Sequence, residues 1–535
     1  MLRQLFICSC SLIFTVSLEG QVNRATLTGV ITDPSGSAVP AAKISCIQTA
    51  TNLVFSTTTT STGNYTLPAL DIGSYRVEAE AAGFKRTVQD GIVLASGATV
   101  RLDLTLEIGA VSDAVEVTSR ASALDTESTR VATTLTTKLV EDLPLVVSGQ
   151  IRNVFNLALI APETKSGAGS NGQFRIGGGQ TASWDMNMDG LSVTSASTNY
   201  QYERAPISSA PVDAIQEFSV ESTGMKAEFG RSMGTINFTT KSGTNQLHGN
   251  AFEFLRNNAT DARGFFAQST PVLKQHDFGG TFGGPVFIPK IYDGRNKTFF
   301  FISYEGFRNR AGNNPSYTTI PLPAMYNGDF SGWTNSRGAM IPIYDPASTR
   351  LGADGVTYVR DAFAGNQIPV SRFSQVAKNY IALRPPSMVP NVAGAGPTLN
   401  FFTSQGGNIT PWNKGTIRGD HQIGSNNHLS FLFLKGEKDD DLANGQPPGL
   451  PLSFNGNSIW TRQNTSYRLS WDRTISSRIV NSLRGSFQRE HGFIANVNSV
   501  DASQQWNAKL GIKNTPGPDH ALPAMAMTQY TTWSG

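Results

Sequence analysis

Residues 215–243, IQEFSVESTGMKAEFGRSMGTINFTTKSG, carry the strongest fold signal in this chain of 535 residues. The segment opens with an extended run that predicts a β-strand and continues into a Gly-punctuated turn. A second strand is predicted after the turn, with Ile236 and Phe238 on one face because side chains two residues apart share a face. A polar exit at Lys241, Ser242 and Gly243 closes the segment. The pattern predicts a strand–turn–strand unit at the end of a domain.

The same segment resembles the closing motif of the plug domain in TonB-dependent outer-membrane receptors. In that family a Glu-bearing strand is followed by Tyr/Phe-Gly, a Gly and an Ile-Asn-x-x-Thr-Lys ending. The matching residues are Ile215, Glu217, Phe229, Gly230, Gly234, Ile236, Asn237, Thr240 and Lys241. One departure is that the Arg-Gly-Pro usual after the first strand is replaced by Glu-Ser-Thr-Gly at 221–224. The resemblance implies a plug domain over residues 129–243, and an outer-membrane barrel over 244–535.

Length and composition bound the remaining possibilities. A chain of 535 residues is too long for one ordinary core, so several domains are expected. The formal charge is only +3 and charged residues make up 16%, with no Lys/Arg stripe, so nucleic acid is not an expected partner. The 52 glycines favour turns and strands over helices.

The N-terminus has the features of an export signal. Arg3 precedes an apolar run from Leu5 to Leu18, which is too short to span a membrane, and Gly20 marks a small-residue cleavage point. Residues 1–20 are therefore predicted to be a removed signal peptide. The mature chain would keep only Cys46, which excludes an intrachain disulfide and a cysteine-based metal site. Neither a metal nor any other cofactor is predicted.

Residues 24–107 predict a small β-sandwich. Short strand candidates are separated by turn signals, and Val100, Leu102, Leu104 and Leu106 alternate with polar residues. The segment resembles the carboxypeptidase regulatory-like domain. The matching motifs are Gly29-Val30, Asp33 to Gly36, Thr62-Gly63-Asn64-Tyr65, Gly73-Ser74-Tyr75 and Ala82-Gly83-Phe84. None of the six histidines has peptidase spacing, so no catalytic residue is predicted.

Residues 108–128 are interpreted as a linker with a possible partner-binding strand. The segment Asp113, Ala114, Val115, Glu116, Val117 and Thr118 resembles the TonB box, an extended segment that adds a strand to a partner sheet. Val115 and Val117 favour that conformation, and no Pro interrupts it. An ordinary β-prone linker remains the open alternative.

Three polar motifs lie near the predicted plug or barrel loops. Arg175, followed by Asp189-Gly190, resembles the central strand–loop–strand of a plug. Asp185, Asn187 and Asp189 also reproduce half of an EF-hand loop, but Ala196 stands where a bidentate Glu is required, so calcium is not predicted. The Gly-x-Gly-x-x-Gly at 167–172 lacks a following helix, which disfavours dinucleotide binding. The acidic run 439–441 is either a solvated loop or a ligand-attracting mouth.

Beyond residue 243 the chain alternates strands of about ten residues with long polar loops, as outer-membrane strands do. Residues 429–434 are apolar on both faces, which by itself does not distinguish a barrel from a sandwich. The seven best strand candidates lie at 248–257, 276–287, 297–307, 414–423, 428–437, 465–474 and 480–490. The first and third of these, with their flanks, resemble the opening barrel strands of the Oar-like branch of TonB-dependent receptors. The expected fold is mainly β: signal peptide, small β-sandwich, α+β plug and the first part of an antiparallel transmembrane β-barrel.

The resemblance implies energised uptake of a small-molecule, glycan or peptide ligand across a Gram-negative outer membrane. TonB and outer-membrane lipid are the implied partners, and the N-terminal domains would be periplasmic. An outer-membrane structural or adhesion protein without transport is the alternative, and a secreted β-rich binding module or enzyme is a third class. Seven strands are roughly a third of a barrel of about 22, so the chain is expected to be an N-terminal fragment.

Overall fold

The fold was analysed in a computed structural model. It describes residues 24–109, 114–117, 131–142, 151–152, 154–166, 174–179, 184–193, 210–223, 234–265, 270–311, 316–335, 337–384, 386, 388–394, 396–403, 408–442, 458–476, 479–496 and 505–513. The predicted signal peptide, the 167–172 loop, Asp113, Thr118, Ala196, Phe229 and Gly230 lie outside these residues. Among the described helices, none combines the length and apolar character needed to cross a membrane.

The N-terminal sandwich, residues 24–109, consists of two facing β-sheets. One sheet has the order β4-β1-β7 with β8 also paired to β1, and the other has the order β3-β2-β5-β6-β9. The strands are β1 (Ala25–Thr32), β2 (Lys43–Gln48), β3 (Val54–Thr58), β4 (Asn64–Leu70), β5 (Gly73–Glu80), β6 (Arg86–Leu94), β7 (Thr99–Arg101), β8 (Leu104–Thr105) and, from the following linker, β9 (Ala114–Val117). Alternating residues such as Leu27 and Ile44 fill the space between the sheets. Buried Tyr65 donates its hydroxyl proton to the Leu102 carbonyl at 2.6 Å, so its polar end is satisfied.

The middle domain, residues 131–240, is built on a five-stranded sheet of order β10-β15-β16-β13-β14. Its elements are β10 (Val131–Thr136), α1 (Thr137–Asp142), a 3-10 helix (Val154–Ile160), β11 (Thr164–Ser166), β12 (Phe174–Ile176), β13 (Asp185–Met188), β14 (Leu191–Ser192), a 3-10 turn (Val212–Ala214), β15 (Ile215–Thr223) and β16 (Thr235–Thr240). Strands β15 and β16 pair antiparallel with Phe218 opposite Phe238, which confirms the two strands predicted within 215–243. Their aromatic rings are fully buried and form the centre of the domain.

The third part is the wall sheet, seven antiparallel strands in the order β17-β18-β21-β26-β27-β28-β29. The strands from here on are β17 (His248–Asn257), β18 (Leu273–Pro285), β19 (Phe287–Ile288), β20 (Tyr292–Asp293), β21 (Thr298–Ala311), β22 (Ser316–Thr318), β23 (Arg350–Leu351), β24 (Tyr358–Val359), β25 (Phe401–Thr403), β26 (Asn408–Ile423), β27 (Asn427–Leu442), β28 (Ser458–Ser476) and β29 (Ile479–Asn496). All seven predicted strands coincide with strands of this sheet. In the described part of the chain, β17 and β29 do not pair with each other, so the sheet is an open part of a barrel.

The two faces of the wall sheet differ in chemistry. On the outer face one continuous apolar row crosses six strands, each residue standing opposite the next. The row consists of Phe282, Ile302, Ile417, Phe433, Tyr467 and Phe487. The inner face carries buried polar and charged residues, among them Glu305, Lys414 and Arg468. This alternation is that of a barrel strand with lipid outside and a polar filled interior.

The doubly apolar stretch 429–434 is explained by this arrangement. Phe431 points outward and is 41% exposed, whereas Leu432 and Leu434 point inward and are buried against the middle domain. An inner apolar patch occurs here because the middle domain, and not water, covers that part of the wall.

The two ends of the wall sheet also differ. The connections at one end are short, residues 286–297, 424–426 and 477–478, and the N-terminal sandwich docks there. The opposite end carries the long connections 258–272, 312–407 and 443–457. Two short helices, α2 (Gln375–Ala382) and α3 (Trp506–Leu510), pack together at that end around Tyr380. Further 3-10 turns are Asn258–Thr260, Pro323–Asn327, Pro346–Ser348, Ala364–Asn366 and Val370–Arg372. Short turns are typical of the periplasmic end of an outer-membrane barrel and long loops of its outside.

Candidate functional site between the middle domain and the wall sheet

The Asp189-Gly190 pair forms the turn of the β13–β14 hairpin. Both residues have positive φ, +50° and +76°, which is the type I′ geometry that two-residue hairpins favour and that Asp-Gly tolerates. The Asp189 carboxylate accepts hydrogen bonds from the Thr240 backbone N–H at 3.0 Å and from its hydroxyl at 2.8 Å. The turn is therefore tied to the end of β16, the strand that closes the middle domain.

Two arginines of the wall sheet hold this turn from the other side. The Arg418 guanidinium donates to the Thr240 carbonyl at 2.8 Å and lies 3.5 Å from the Asp189 carboxylate. Arg468 donates to the carbonyls of Met188 and Leu191, at 2.5 and 3.1 Å, on either side of the turn. Both arginines are on inward-facing positions, so the hairpin is clamped to the barrel wall by charge-assisted hydrogen bonds.

A second contact of the middle domain with the wall is an ionic cluster around Arg152. Its guanidinium lies 2.7 Å from Asp213 of its own domain, and 3.5 and 3.4 Å from Asp277 and Glu305 of the wall. Lys414 of the wall donates to the Arg152 carbonyl at 3.3 Å. Burial lowers the pKa of Arg152, but the three carboxylates raise it by more, so the net shift is upward and the guanidinium stays charged.

The Arg152 side chain is also enclosed by aromatic rings. Its Cζ atom lies 4.1 Å from the ring centroid of Phe252 and 4.8 Å from that of Phe254, both on β17. A cation over an aromatic face gains electrostatic attraction from the ring quadrupole. The cluster therefore joins one middle-domain arginine to four strands of the wall, β17, β18, β21 and β26.

The N-terminal sandwich contributes the third set of contacts. Its Arg24 is buried and lies 3.2 Å from Asp71 of the sandwich, 3.0 Å from Asp472 of the wall and 2.6 Å from the His428 ring of the wall. Burial lowers the pKa of Arg24, but Asp71 and Asp472 raise it by more, so the pKa lies above its ordinary value. The Ser96 backbone N–H donates to the Glu217 carboxylate of the middle domain at 2.8 Å. The sandwich thus touches both other domains at the short-turn end.

A small polar cavity of about 120 Å³ lies where the three domains meet. Charged residues from all three line it, including Arg24, Asp71, Asp189, Arg418, Asp472 and Arg484. The Asp420 carboxylate pairs with Arg418 at 2.8 Å and accepts the Ser242 hydroxyl at 2.6 Å, so the exit of the middle domain is fixed here as well. The arrangement is a junction of ion pairs that must separate if the domains move apart.

The other predicted plug residues occupy several places. Buried Asn237 donates to Glu221 at 3.2 Å and accepts from Asn187 at 3.1 Å, inside the five-stranded sheet. A Cβ on Gly234 would lie 2.4 Å from the Ile176 side chain, so that position requires glycine. Lys241 follows β16, and its N–H donates to the Ala214 carbonyl at 2.8 Å.

Arg175 and the EF-hand-like residues do not form one site. Arg175 is an exposed residue of β12, in the separate β11–β12 sheet, while Asp189 is on the five-stranded sheet. Asp185 and Asn187 lie on β13, a strand and not a calcium loop. In the described part of the chain no group of three or more His, Cys, Asp or Glu side chains is placed to hold a metal ion.

The wall residues that contact the middle domain were missed from sequence. Asp277, Glu305, Lys414, Arg418 and Arg468 lie in predicted strands but were not singled out. Glu305 carried the clearest signal, a charge that follows the aromatic and apolar run at 299–304, because a charge in a barrel strand has to face the interior. Arg152 had no comparable signal, because its partners come from distant parts of the chain.

Part of the TonB-box candidate has a defined place. Residues 114–117 form β9, which runs parallel to β6 at the edge of the N-terminal sandwich, with Thr87 opposite Val115 and Gln89 opposite Val117. The segment is thus extended, as the resemblance requires, and it is already paired with a strand of its own chain.

An open antiparallel wall with an apolar outer face and a folded domain against its charged inner face defines an outer-membrane β-barrel protein. The chain belongs to the outer membrane beta barrel domain family, whose sequence profile matches residues 239–535, and a carboxypeptidase regulatory-like domain matches residues 26–107. It is located in the outer membrane, and its sequence is similar to that of a TonB-dependent transporter.

One curated relative matches part of the chain by sequence. The chain is 26% identical over 283 residues to the TonB-dependent transporter Oar of Myxococcus xanthus, which covers 50% of this chain and 26% of that protein. The chain therefore spans about a quarter of the length of the curated relative it matches. Relatives of this kind are transporters and receptors and not enzymes.

Solved structures of outer-membrane proteins show only a distant likeness. The outer membrane transporter YddB from Escherichia coli is 10% identical with a TM-score of 0.41, over 69% of this chain and 40% of that one. The siderophore receptor PiuA from Acinetobacter baumannii is 12% identical with a TM-score of 0.32, over 70% of this chain and 50% of that one. The family assignment rests on the sequence matches.

Proposed function

We propose that this chain is the N-terminal part of a TonB-dependent transporter that takes up a ligand across the outer membrane. The middle domain is its plug, and residues 113–118 are its TonB box. The observation that carries the proposal is the double clamp of the middle domain on the wall, by Arg418 and Arg468 at the Asp189-Gly190 turn and by the Arg152 cluster. A folded domain that fills a barrel blocks it, so transport requires that domain to shift.

The ligand would bind at the end of the wall with the long connections. Residues 312–407 supply most of the described surface there, and the α2–α3 contact braces this region. A ligand can favour a shifted plug only through a difference in affinity between the two states. Energy for the shift would come from TonB, which pulls on the extended segment after that segment has added a strand to the TonB sheet.

Capture by TonB tests the proposal without knowledge of the ligand. Outer membranes that contain the protein are incubated with the purified periplasmic C-terminal domain of TonB from the same bacterium. We expect wild type to retain the TonB domain and Val117→Pro to lose at least tenfold, since Pro removes a backbone donor from the paired segment. Ala121→Pro, in the same linker but outside the box, is the matched control and keeps wild-type capture.

Equal capture by wild type and Val117→Pro would contradict the assignment of residues 113–118. Absence of capture in every variant would favour the alternative function, an outer-membrane structural or adhesion protein of the same architecture. The two results are distinguishable. Equal capture by wild type and Val117→Pro still means that the protein binds TonB, whereas absence of capture in every variant means that it does not.

A further inference from the structure

The edge of β6 in the N-terminal sandwich is occupied by a strand that leaves the sandwich and returns to it. The chain first runs antiparallel to residues 83–85, where the Lys85 N–H donates to the Glu107 carbonyl at 2.8 Å and the Gly109 N–H to the Gly83 carbonyl at 3.1 Å. After residues 110–113 it runs parallel to β6 as β9. The edge of β6 is therefore a strand-binding surface filled by residues 114–117 of the same chain.

We infer that the N-terminal sandwich is a cis-acting binding site for the TonB box, and that the docked state is uncoupled from TonB. This inference rests on the proposed function, which assigns residues 113–118 as that box. Strand addition uses backbone N–H and C=O groups along one side of the added strand. The groups of β9 that face β6 are already in use, so a partner must displace β9 or accept only its outer side.

The connections around β9 give a mechanical reason for the uncoupled state. Residues 118–130 lead from β9 to β10, the first strand of the middle domain. A pull on β9 while it is docked loads β6 and the sandwich instead of the middle domain. The sandwich itself is fastened to the wall by Arg24 and Asp472 at 3.0 Å, and by Asn245, which donates to the Thr51 carbonyl at 2.7 Å. The load would therefore pass to the barrel rim, and the middle domain would stay in place.

The docked strand is short enough to be released. Only four residue pairs join β9 to β6: residues 86–89 of β6 pair with residues 114–117 of β9. Parallel pairing is slightly less stable per residue than antiparallel pairing. A competing strand of greater length can therefore displace β9 by replacing only these four pairings with β6.

A reversible covalent lock tests the inference. Thr87 and Val115 stand opposite each other in the register, so Thr87→Cys with Val115→Cys should form a disulfide in the oxidising periplasm. Thr87→Cys with Glu116→Cys is the matched control, because adjacent residues of a strand project to opposite faces. Cys46 is buried and its thiol pKa is raised to about 12 by burial, so it does not compete. Single-cysteine variants give the background.

Full-length protein in outer membranes is then assayed for capture of the TonB C-terminal domain. We expect the 87–115 pair to crosslink, and its oxidised form to capture at least tenfold less TonB domain than the same variant after reduction, with the Val115→Cys single variant as the reference for capture. Failure of the 87–115 pair to crosslink, or equal crosslinking of the 87–116 pair, overturns the docking. Crosslinking with unchanged capture overturns the masking, since TonB would then bind the outer side of β9.

The proposed function fails by a different result. If wild type and reduced variants also capture no TonB domain, the assignment of the box is wrong and the masking inference falls with it. The crosslinking result would still establish what β6 binds. Failure of the docking alone, in contrast, leaves capture by the wild type and its loss in Val117→Pro unchanged.

Discussion

The N-terminal sandwich and the middle domain are both built on β-sheets, but different contacts hold each one together. Among the residues whose burial the structure describes, the apolar core of the sandwich runs from Ala25 to Leu106 and contains residues of the sandwich alone. The core around the middle domain also includes Phe301, Leu432 and Leu434 from the wall sheet. The described core of the sandwich is therefore its own, whereas the core of the middle domain is shared with the wall sheet.

The same contrast holds for charges. Most ion pairs within the sandwich are solvent-exposed, such as Arg76 with Asp90 at 2.6 Å, and exposed pairs contribute little to stability. The ion pairs of Arg152 with Asp277 and Glu305 are buried and cross from one domain to another. Separation of such a pair leaves charges without partners in a dry site. Movement of the middle domain away from the wall is therefore expected to need free energy from an external source.

The largest effect is expected from Arg152→Ala. This change leaves Asp213, Asp277 and Glu305 buried without their guanidinium partner, and breaking a buried charge network typically costs about 3–5 kcal/mol. Urea unfolding of the purified protein in detergent micelles, with limited proteolysis of the middle domain, measures the loss. Lys165→Ala changes an exposed cation of the same domain and serves as the control.

Equal protease resistance of Arg152→Ala and Lys165→Ala would show that the middle domain does not depend on the wall for its charge balance. The comparison with the self-contained sandwich would then fail at its strongest point.

The next effect tests the independence of the sandwich. Leu27 is fully buried in the sandwich core, so Leu27→Ala should destabilise it by about 2–5 kcal/mol through lost burial and a cavity. Limited proteolysis should show faster cleavage within residues 24–109 and unchanged cleavage of the middle domain. Val54→Ala, at a position that is 47% exposed, is the control. Parallel loss of both domains in Leu27→Ala would mean that the sandwich is not a separate unit.

A pair of adjacent wall positions compares the two faces directly. Leu432→Ala removes a wall side chain from the core shared with the middle domain and should cost about 2–3 kcal/mol, at the lower end of such truncations. Phe431→Ala, on the outer face of the same strand, should change middle-domain protection by less than about 1 kcal/mol, because its partner is lipid or detergent. Urea titrations of the two variants, read by middle-domain proteolysis, check the order. A larger effect of Phe431→Ala would reverse the assigned inner and outer faces.

Sequence patterns reached the strands of the wall because alternation is a local property. The apolar positions Ile417 and Tyr467 lie between polar neighbours within single strands, and each strand could be recognised by itself. Arg418 and Arg468, which hold the β13–β14 hairpin, could not be predicted from sequence because their partners are set by the topology. Arg468 meets the Met188 carbonyl across hundreds of residues, and no local pattern encodes that pairing.

The candidate site was predictable in part for the same reason. Asp189-Gly190 and Asn237 were found because a turn and a strand ending have local signatures; the turn lies where the middle domain is fixed to the wall, and Asn237 lies inside the five-stranded sheet. Arg175 was grouped with Asp189 by sequence order, but the fold places it in another sheet. The docking of 114–117 on β6 could not be foreseen, because any exposed strand edge accepts an extended segment.

The smallest effect uses Cys46 as a reporter of the closed sandwich core. Burial raises the pKa of its thiol to about 12, while the unfolded chain has an ordinary thiol pKa near 8.5. A group whose pKa is raised by folding contributes stability that is complete below the unfolded pKa and is lost as pH rises toward the folded one. Unfolding free energy of the sandwich should therefore fall by about 1 kcal/mol between pH 8 and pH 9.5. Cys46→Ala lacks the thiol and should show a flatter pH dependence, although its stability at pH 8 is lower because of the small cavity. Since the middle domain has no cysteine within residues 131–240, its proteolysis should not change with pH in this way.

Identical pH slopes of the unfolding free energy in wild type and Cys46→Ala would mean that water reaches the thiol, and the sandwich core would then not be closed.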